Sequence, residues 1–295
     1  MKRIFLTGAT GFLGSHVLAA LHAENYSIVA TTRGDTSTLP KRLVDRRTEW
    51  ISTVDAASVI EAVKPHAVIH LATDYGGAPR LQDTLLANEA WPLRLLEAGI
   101  RSGTEIFLNT DSFFAKPAFA YPHMRPYTLS KSHFLAWGRL AATGTQTRFI
   151  TLRLEHVFGE NDRPNKFVPS MLRQLKIGEI VEATAGTQRR DFIYAGDVAS
   201  AFTTVLKNHG ALGQEMDEID VGTGQSITVR SFVELAKSLS CSSSPLRFGS
   251  VPMRQNEIMD SFADIAILRM LGWAPRSSVE DGLRRCIADL QPGEQ

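Results

Sequence analysis

Hydrophobic and polar positions in the first half of the chain alternate between a strand-like and a helix-like pattern. Short apolar runs predict buried strands at residues 4–6, 28–30, 68–71, 106–108 and 149–152. Helical spacing of apolar positions predicts helices at residues 12–24, 56–63, 81–101 and 124–142. Strands that alternate with helices form βαβ units and a parallel sheet. We therefore expect an α/β fold with a doubly wound parallel sheet of the Rossmann type.

The regular alternation is interrupted at two places. Pro92 lies inside a predicted helix, where an interior proline costs about 3 kcal/mol, so we expect a kink or a late helix start there. Beyond residue 160, loops and short elements replace the pattern. We expect a sheet domain over residues 1–160 with return segments near 191–224, and a smaller C-terminal cap over 161–190 and 225–295.

Composition narrows the possible partners. The chain has 295 residues, 43% of them hydrophobic, and a formal net charge of +1, which favours neither a nucleic acid nor an anionic membrane. No apolar run approaches the roughly 18 residues of a membrane span. Cys241 and Cys286 match no metal or redox spacing, so we expect reduced thiols, no bound metal and a cytoplasmic protein.

A glycine-rich turn follows the first predicted strand. Residues 7–14 read Thr-Gly-Ala-Thr-Gly-Phe-Leu-Gly, with Gly8, Gly11 and Gly14 at the spacing that brings a helix N-terminus close to a phosphate. Such a triplet is specific only between a strand and a helix, which is its position here. It predicts dinucleotide binding by Gly8, Thr10, Gly11, Phe12, Leu13 and Gly14, and we assign the cap to the substrate.

The end of the second strand indicates which dinucleotide binds. An acidic residue there would accept hydrogen bonds from the adenosine ribose, but this chain has Arg33. A guanidinium pairs with a 2′-phosphate in bidentate fashion. Arg33 therefore favours NADP(H), with NAD(H) still possible.

A Tyr-x3-Lys pair, Tyr127 and Lys131, lies in the predicted helix 124–142. Residues four apart share a helix face, and this helix follows the strand that ends near Thr110. Such a pair arises often by chance, so its position after the glycine turn carries the argument. It predicts a proton-transfer site beside the cofactor.

Taken together, these motifs resemble the extended short-chain dehydrogenase/reductase family, the NAD-dependent epimerases and dehydratases, over essentially the whole chain. The matching segments are residues 7–14, 70–73, Asn88, Thr110, Tyr127 with Lys131, 190–194, 221–224 and 271–273.

The resemblance implies roles for the matching residues. Thr110, Tyr127 and Lys131 are the expected catalytic residues, with Tyr127 as general acid and the Thr110 hydroxyl on the same substrate oxygen. Leu71, Ala72, Thr73, Asn88, Tyr127 and Lys131 are expected to contact the cofactor. We further expect the Lys131 ammonium, together with the charge of the oxidised nicotinamide, to lower the pKa of Tyr127 towards working pH.

Departures from the family's patterns indicate the reaction. Dehydratases carry Thr-Asp-Glu where this chain has Thr110-Asp111-Ser112, so elimination is disfavoured. Arg33 departs from the acidic strand end typical of 4-epimerases, and no cysteine lies near the predicted site as in the fucose-type epimerase–reductases. A ketoreductase remains. Short strings at residues 72–76, 109–114 and 254–259 are similar to the CDP-abequose and CDP-paratose synthase branch of deoxysugar and O-antigen biosynthesis.

The branch implies reduction at C4 of a CDP-3,6-dideoxy-4-hexulose. A 4-epimerase, a dTDP- or GDP-4-ketohexose reductase and a non-catalytic nucleotide-binding protein remain as alternatives. The expected substrate contacts, each with a purely structural alternative, are Tyr75, Asp111, Ser112, His156, Arg190 and Arg254. A homodimer through helices 81–101 and 124–142 is the family's usual assembly.

Overall fold

The structure is a computed structural model that describes residues 2–76, 80–119 and 121–290. Its strands are β1 Arg3–Thr7, β2 Ser27–Thr32, β3 Thr48–Ser52, β4 Ala67–His70, β5 Ile106–Ser112, β6 Arg148–Leu154, β7 His156–Phe158, β8 Val181–Ala183, β9 Arg189–Arg190, β10 Phe192–Tyr194, β11 Glu218–Val221, β12 Ile227–Thr228 and β13 Leu246–Phe248.

The α-helices of the same residues are α1 Phe12–Ala23, α2 Ala56–Val63, α3 Leu81–Leu85, α4 Trp91–Ser102, α5 Arg125–Ala142, α6 Phe167–Ile177, α7 Ala195–Asn208, α8 Val229–Leu239, α9 Ala266–Met270 and α10 Val279–Asp289. None of the helices in these described ranges has the length and hydropathy of a bilayer-spanning segment.

Seven strands form one parallel sheet in the order β11-β6-β5-β4-β1-β2-β3. The apolar runs become its central strands, since residues in β1, β4 and β5 such as Phe5, Val68 and Phe107 are fully buried. Burying each such side chain stabilises the fold by roughly 2–3 kcal/mol. The predicted doubly wound parallel sheet is therefore confirmed.

Two strands of the sheet, β3 and β11, were not predicted from the sequence, and they lie at its two edges. β3 reads Thr-Glu-Trp-Ile-Ser, lies at the sheet edge and is only partly buried. An edge strand needs no continuous apolar run, so its pattern is too weak to predict.

The helix interruption near Pro92 has a clear structural cause. A π-helical turn, Leu86–Ala90, separates α3 from α4, and Pro92 then occupies the first turn of α4. A proline costs little there because its missing N–H has no intrahelical partner to lose. The interruption that the sequence predicts, a kink or a late start, is therefore present as a π-helical turn within a continuous helical segment.

The chain divides into two compact units. The first unit comprises Met1–Arg153 and Ala199–Ile219, and the second comprises Leu154–Val198 and Asp220–Gln295. Residues 291–295 of the expected cap lie outside the described residues. The assignment of the second unit to substrate binding remains a prediction.

Each unit has its own core. In the first unit, Phe107, Phe134 and Phe149 pack between the sheet and α5. In the second unit, Phe192 stacks on Phe232 with ring centroids 3.8 Å apart. Within the first unit, the predicted functional residues follow the carboxyl ends of β1, β2, β4 and β5, the edge where open α/β sheets bind ligands.

Candidate active site

The turn between β1 and α1 has a backbone that only glycine allows at two positions. Gly8 has φ +70°, and a Cβ there would lie 2.7 Å from the backbone nitrogen of Ala72. A Cβ at Gly14 would overlap the Gly8 carbonyl oxygen. Helix α1 therefore packs directly against the strand ends, and backbone atoms form the surface where they meet.

The amino end of α1 suits an anion. Gly11 is the N-cap residue, and within the described chain no side chain caps this helix and no acidic residue lies in its first turn. The N–H groups at a helix N-terminus and its partial positive charge favour a pyrophosphate. Thr10 and Gly11 are exposed, while Phe12 and Leu13 are partly buried. This turn fits a dinucleotide.

The ends of the neighbouring strands complete this region. The Thr7 hydroxyl oxygen accepts hydrogen bonds from the N–H groups of Leu71 and Ala72, each at 3.2 Å, which joins the ends of β1 and β4. Thr73 follows and is partly buried. Arg33 comes directly after β2 and is exposed, so its guanidinium is accessible to a ligand.

Asn88 connects the loop after β4 to helix α5. Its side-chain N–H groups donate to the Asp74 carbonyl at 2.7 Å and to Ser130 Oγ at 2.9 Å. Its side-chain oxygen accepts from the Asp74 N–H at 2.7 Å and from the Thr73 hydroxyl at 3.2 Å. Asn88 thus positions the loop against α5, and its contact with a cofactor remains a prediction.

The structure brings Thr110, Tyr127 and Lys131 together. Tyr127 and Lys131 lie four residues apart on α5 and are 6% and 2% exposed. Lys131 Nζ donates to the Thr110 carbonyl at 2.9 Å and lies 5.9 Å from the centroid of the Tyr127 ring. The lysine therefore joins α5 to the end of β5.

The Thr110 hydroxyl has a partner in this structure. Its Oγ1 donates to the His70 carbonyl at 3.2 Å. To donate to a substrate oxygen, as the sequence predicts, the hydroxyl has to rotate away from β4.

The expectation that the Lys131 ammonium lowers the pKa of Tyr127 is wrong for this structure. Burial raises the pKa of Tyr127 well above its ordinary value, the charges of Tyr75 and Asp111 raise it further, and a hydrogen bond with Ser112 lowers it. Desolvation outweighs any stabilisation of the phenolate because the side chain is enclosed. Tyr127 consequently holds its proton at neutral pH.

The pKa of Lys131 is shifted in the opposite direction, downwards. Burial lowers the pKa of Lys131 to about 8, against the raising influence of Asp111. At pH 7 the group is still mainly an ammonium.

Three of the predicted substrate contacts surround Tyr127. Tyr75 stacks on it with ring centroids 5.2 Å apart and is 42% exposed. Ser112 forms a side-chain hydrogen bond with Tyr127, and the Ser112 N–H donates to Asp111 Oδ1 at 2.7 Å. The buried Asp111 places its Oδ2 at 3.9 Å from Arg153 Nε. Their contact with a substrate remains a prediction.

The other three predicted substrate contacts lie in the second unit. Arg190 is buried and donates to Glu257 Oε1 at 2.7 Å and to the Arg189 carbonyl at 2.7 Å. Burial, together with the charges of Arg190 and Lys166, lowers the pKa of His156 to about 4. Arg254 is exposed. In this structure Arg190 is already paired with a carboxylate.

Sequence reasoning missed several residues of these arrangements. They include Asp74, Ser130, Arg153 and Glu257. Arg153 and Glu257 are partly buried charged side chains, 13% and 12% exposed, and charged groups are seldom so enclosed unless paired. A polar residue inside an apolar strand, as Arg153 is in β6, was the available signal.

Comparison with known proteins agrees with this geometry. Residues 4–222 match the NAD dependent epimerase/dehydratase family. The chain is 37% identical over 290 residues to a CDP-abequose synthase of Salmonella muenchen, and the match covers 97% of each chain.

Solved structures share the fold. The UDP-glucose 4-epimerase of Thermotoga maritima, solved with UDP-glucose, has a TM-score of 0.82 at 22% identity, covering 97% of this chain and 98% of that one. The UDP-glucose 4-epimerase of Thermus thermophilus, solved with NAD, has a TM-score of 0.79 at 20% identity and the same coverage. The chain therefore belongs to the NAD dependent epimerase/dehydratase family, whose members are enzymes that bind a nicotinamide cofactor.

Proposed function

We propose that the protein is an NADPH-dependent reductase that converts the C4 ketone of a nucleotide-linked 4-keto-deoxyhexose into an alcohol, with a CDP-3,6-dideoxy-4-hexulose as the favoured substrate. The observation that carries this proposal is the buried set of Thr110, Tyr127 and Lys131, with a tyrosine that keeps its proton. The 37% identity to a CDP-abequose synthase supports the substrate class.

The residues supply an acid for this reaction. A bound reduced nicotinamide would supply the hydride for the C4 carbon. Tyr127 then donates its proton to the C4 oxygen, because an alkoxide is a much stronger base than a phenolate, even one disfavoured by burial. The Lys131 ammonium stabilises the phenolate that remains until solvent returns the proton.

The same set lacks the second acid that elimination needs. Ser112, which bonds to Tyr127, stands where the family's dehydratases carry a glutamate. A hydroxyl does not remove a carbon-bound proton at neutral pH, so the reduction is favoured over loss of water.

Arg33 supports NADPH as the cofactor. The side chain is exposed directly after β2, and a guanidinium binds a phosphate through two parallel hydrogen bonds. The uncapped end of α1 and the glycine turn would hold the pyrophosphate.

Basic side chains of the second unit support an anionic substrate. Arg190, Arg254 and Lys166 are the candidates for its diphosphate, and burial lowers the pKa of Lys166. His156, whose pKa is about 4, is neutral at pH 7 and would contact the substrate as a hydrogen-bonding group without charge.

A 4-epimerase is the second candidate, because solved 4-epimerases share the fold. Reductases of dTDP- or GDP-linked 4-ketohexoses would use the same residues. An epimerase regenerates its cofactor in each turnover, whereas a reductase consumes NADPH in a one-to-one ratio with product.

The experiment is a panel of CDP-, dTDP-, UDP- and GDP-4-ketohexoses offered with NADPH or NADH. We expect stoichiometric loss of NADPH absorbance, fastest with the CDP-linked substrate, and a C4 alcohol identified by NMR. Turnover of a 4-hydroxy sugar without net loss of cofactor would establish the epimerase in its place. Faster turnover with NADH would contradict the role of Arg33.

We also propose a homodimer through α3, α4 and α5. Large apolar side chains are exposed on α3 and the following π turn and on α5, namely Leu81, Leu85, Leu86, Leu129, Trp137 and Leu140. Exposed apolar groups of this size are typical of a protein interface. Light scattering should give twice the chain mass, and Trp137→Glu should give the monomer.

A further inference from the structure

A row of alternating charges begins beside the catalytic residues of the first unit. Asp111 Oδ2 lies 3.9 Å from Arg153 Nε, and Arg153 Nη2 contacts Glu218 Oε2. Glu218 Oε1 accepts from Arg139 Nη2 at 2.7 Å, and Arg139 also pairs with Asp217. The row therefore runs from a buried carboxylate to a partly exposed one.

The sheet explains why these side chains meet. Strands β5, β6 and β11 are neighbours, and the Asn109 side chain donates to Thr151 Oγ1 at 3.2 Å across β5 and β6. Side chains two residues further along each strand point to the same face. Those residues are Asp111 and Arg153.

The row also returns to the helix that carries the catalytic pair. Arg139 belongs to α5, two helical turns beyond Lys131. Three adjacent strands and α5 are thus joined through charges, with Arg153 at the centre. Arg153 is 13% exposed and Asp111 2%, so water screens this pair weakly.

We propose that Arg153 is a positioning residue that keeps the Asp111 carboxylate ionised beside Tyr127 and Lys131, and thereby keeps Lys131 charged. This inference rests on the proposed reductase. It adds a specific group that sets the charge of the site, on a strand three positions away in the sheet from β1, which precedes the cofactor turn.

The groups that face Lys131 define the effect. Asp111 on β5 raises the pKa of Lys131. His70 on β4 is neutral, because burial lowers its pKa well below the ordinary value, and Tyr127 on α5 keeps its proton. Asp111 is the anion of this set, so a change in its charge changes the proton affinity of Lys131.

Removal of Arg153 should therefore change the pKa of Lys131 in a definite direction. Without the guanidinium, the charged form of the enclosed Asp111 carboxylate is less stable, so the protonated form is favoured. Lys131 then loses the influence that raises its pKa and becomes neutral at lower pH.

The test compares Arg153→Met with Arg153→Lys, with Arg148→Met as the matched control. Arg148 lies on the same strand and donates to carbonyl groups, among them those of Leu212 and Met216. We expect the alkaline limb of kcat to move down by about one pH unit in Arg153→Met, with KM changed less than about threefold. Arg153→Lys should restore most of this limb, and Arg148→Met should leave it in place.

A second readout does not depend on activity. In protein labelled with ¹³C at lysine, the Lys131 Cε signal, assigned with Lys131→Met, should titrate near 8 in the wild type and about one unit lower in Arg153→Met. The shift in Asp111→Asn should be similar, and the double variant should show no additional shift.

The two proposals fail in different ways. An unchanged or raised Lys131 titration in Arg153→Met would overturn the role of Arg153, even with full reductase activity. Absence of NADPH oxidation with every sugar, together with the expected titration, would overturn the reductase and leave the electrostatic role standing.

Discussion

Two buried cations, Lys131 of the first unit and Arg190 of the second unit, are held in different ways. In the first unit, Lys131 is buried and bonds to a backbone carbonyl, that of Thr110. In the second unit, buried Arg190 bonds to the carboxylate of Glu257 as well as to the carbonyls of Arg189 and Ile258, while Arg254 is exposed. A backbone carbonyl cannot leave, whereas a side-chain carboxylate can exchange with an incoming anion. The first arrangement suits fixed catalytic groups, and the second suits a ligand that binds and departs.

The largest expected effect is that of Tyr127→Phe. We expect kcat to fall about 10³-fold because the proton donor is lost, while the dissociation constant for NADPH changes less than about threefold. Stopped-flow rates and fluorescence titration measure the two quantities. Tyr121→Phe, which changes another buried tyrosine of the first unit, is the control, and equal losses in the two variants would contradict the assignment.

Lys131→Met should lower activity and, at neutral pH, raise stability. We expect a loss of about 10²-fold in kcat. The folded pKa of about 8 lies below the ordinary 10.5, so the buried ammonium costs stability in full below pH 8. As pH rises from 8 to 10.5 the folded protein releases a proton that the unfolded chain keeps, and the cost disappears.

At pH 7 the free energy of unfolding of the variant should accordingly exceed that of the wild type by about 2 kcal/mol, once the lost bond to Thr110 is subtracted. This difference should shrink as the pH rises above 8 and reverse before pH 10.5, because the lost bond to Thr110 still counts against the variant when the cost of the ammonium is gone. Lys41→Met, at an exposed position, should show no such pH dependence. A variant less stable than the wild type at pH 7 would show that the ammonium stabilises the fold.

Arg190→Met should affect substrate affinity more than rate. We expect KM for the nucleotide sugar to rise about 30-fold, as for loss of a charge-assisted hydrogen bond, with kcat changed a few-fold. Arg189→Met, at the exposed neighbour on β9, is the control. A second variant, Glu257→Gln, should lower KM, because it weakens the competitor for Arg190. An increase in KM would indicate that Glu257 orients Arg190 for the ligand.

The smallest of these effects concerns the cofactor. Arg33→Ser should raise KM for NADPH about tenfold and leave KM for NADH nearly unchanged. Steady-state kinetics with both cofactors measures the ratio. Equal changes for the two would show that Arg33 contacts a part common to both.

The features that the sequence predicts best are local. The glycine turn depends on backbone conformation at Gly8 and Gly14, and the apolar runs of β1, β4 and β5 are continuous, so both are visible in a single stretch of residues. The Tyr127–Lys131 pair is likewise one helical turn.

The features that the sequence does not predict depend on burial by several elements and on partners that are far apart along the chain. The pKa of Tyr127 rises because residues from several elements bury it, and no spacing along the chain reports that burial. Asp111, Arg153 and Glu218 are far apart in sequence and meet only because β5, β6 and β11 are adjacent. The contacts of Asn88 with Asp74 and Ser130 arise in the same way.

The most direct test of the reductase is a turnover with NADPH that carries deuterium at the transferable C4 position of its nicotinamide. We predict one deuterium on the sugar C4 carbon for each NADP⁺ formed, seen by NMR of the isolated product, and transfer that is about 10³-fold slower with Tyr127→Phe. Product formed with hydrogen alone at C4, and with the labelled cofactor unconsumed, would contradict the account.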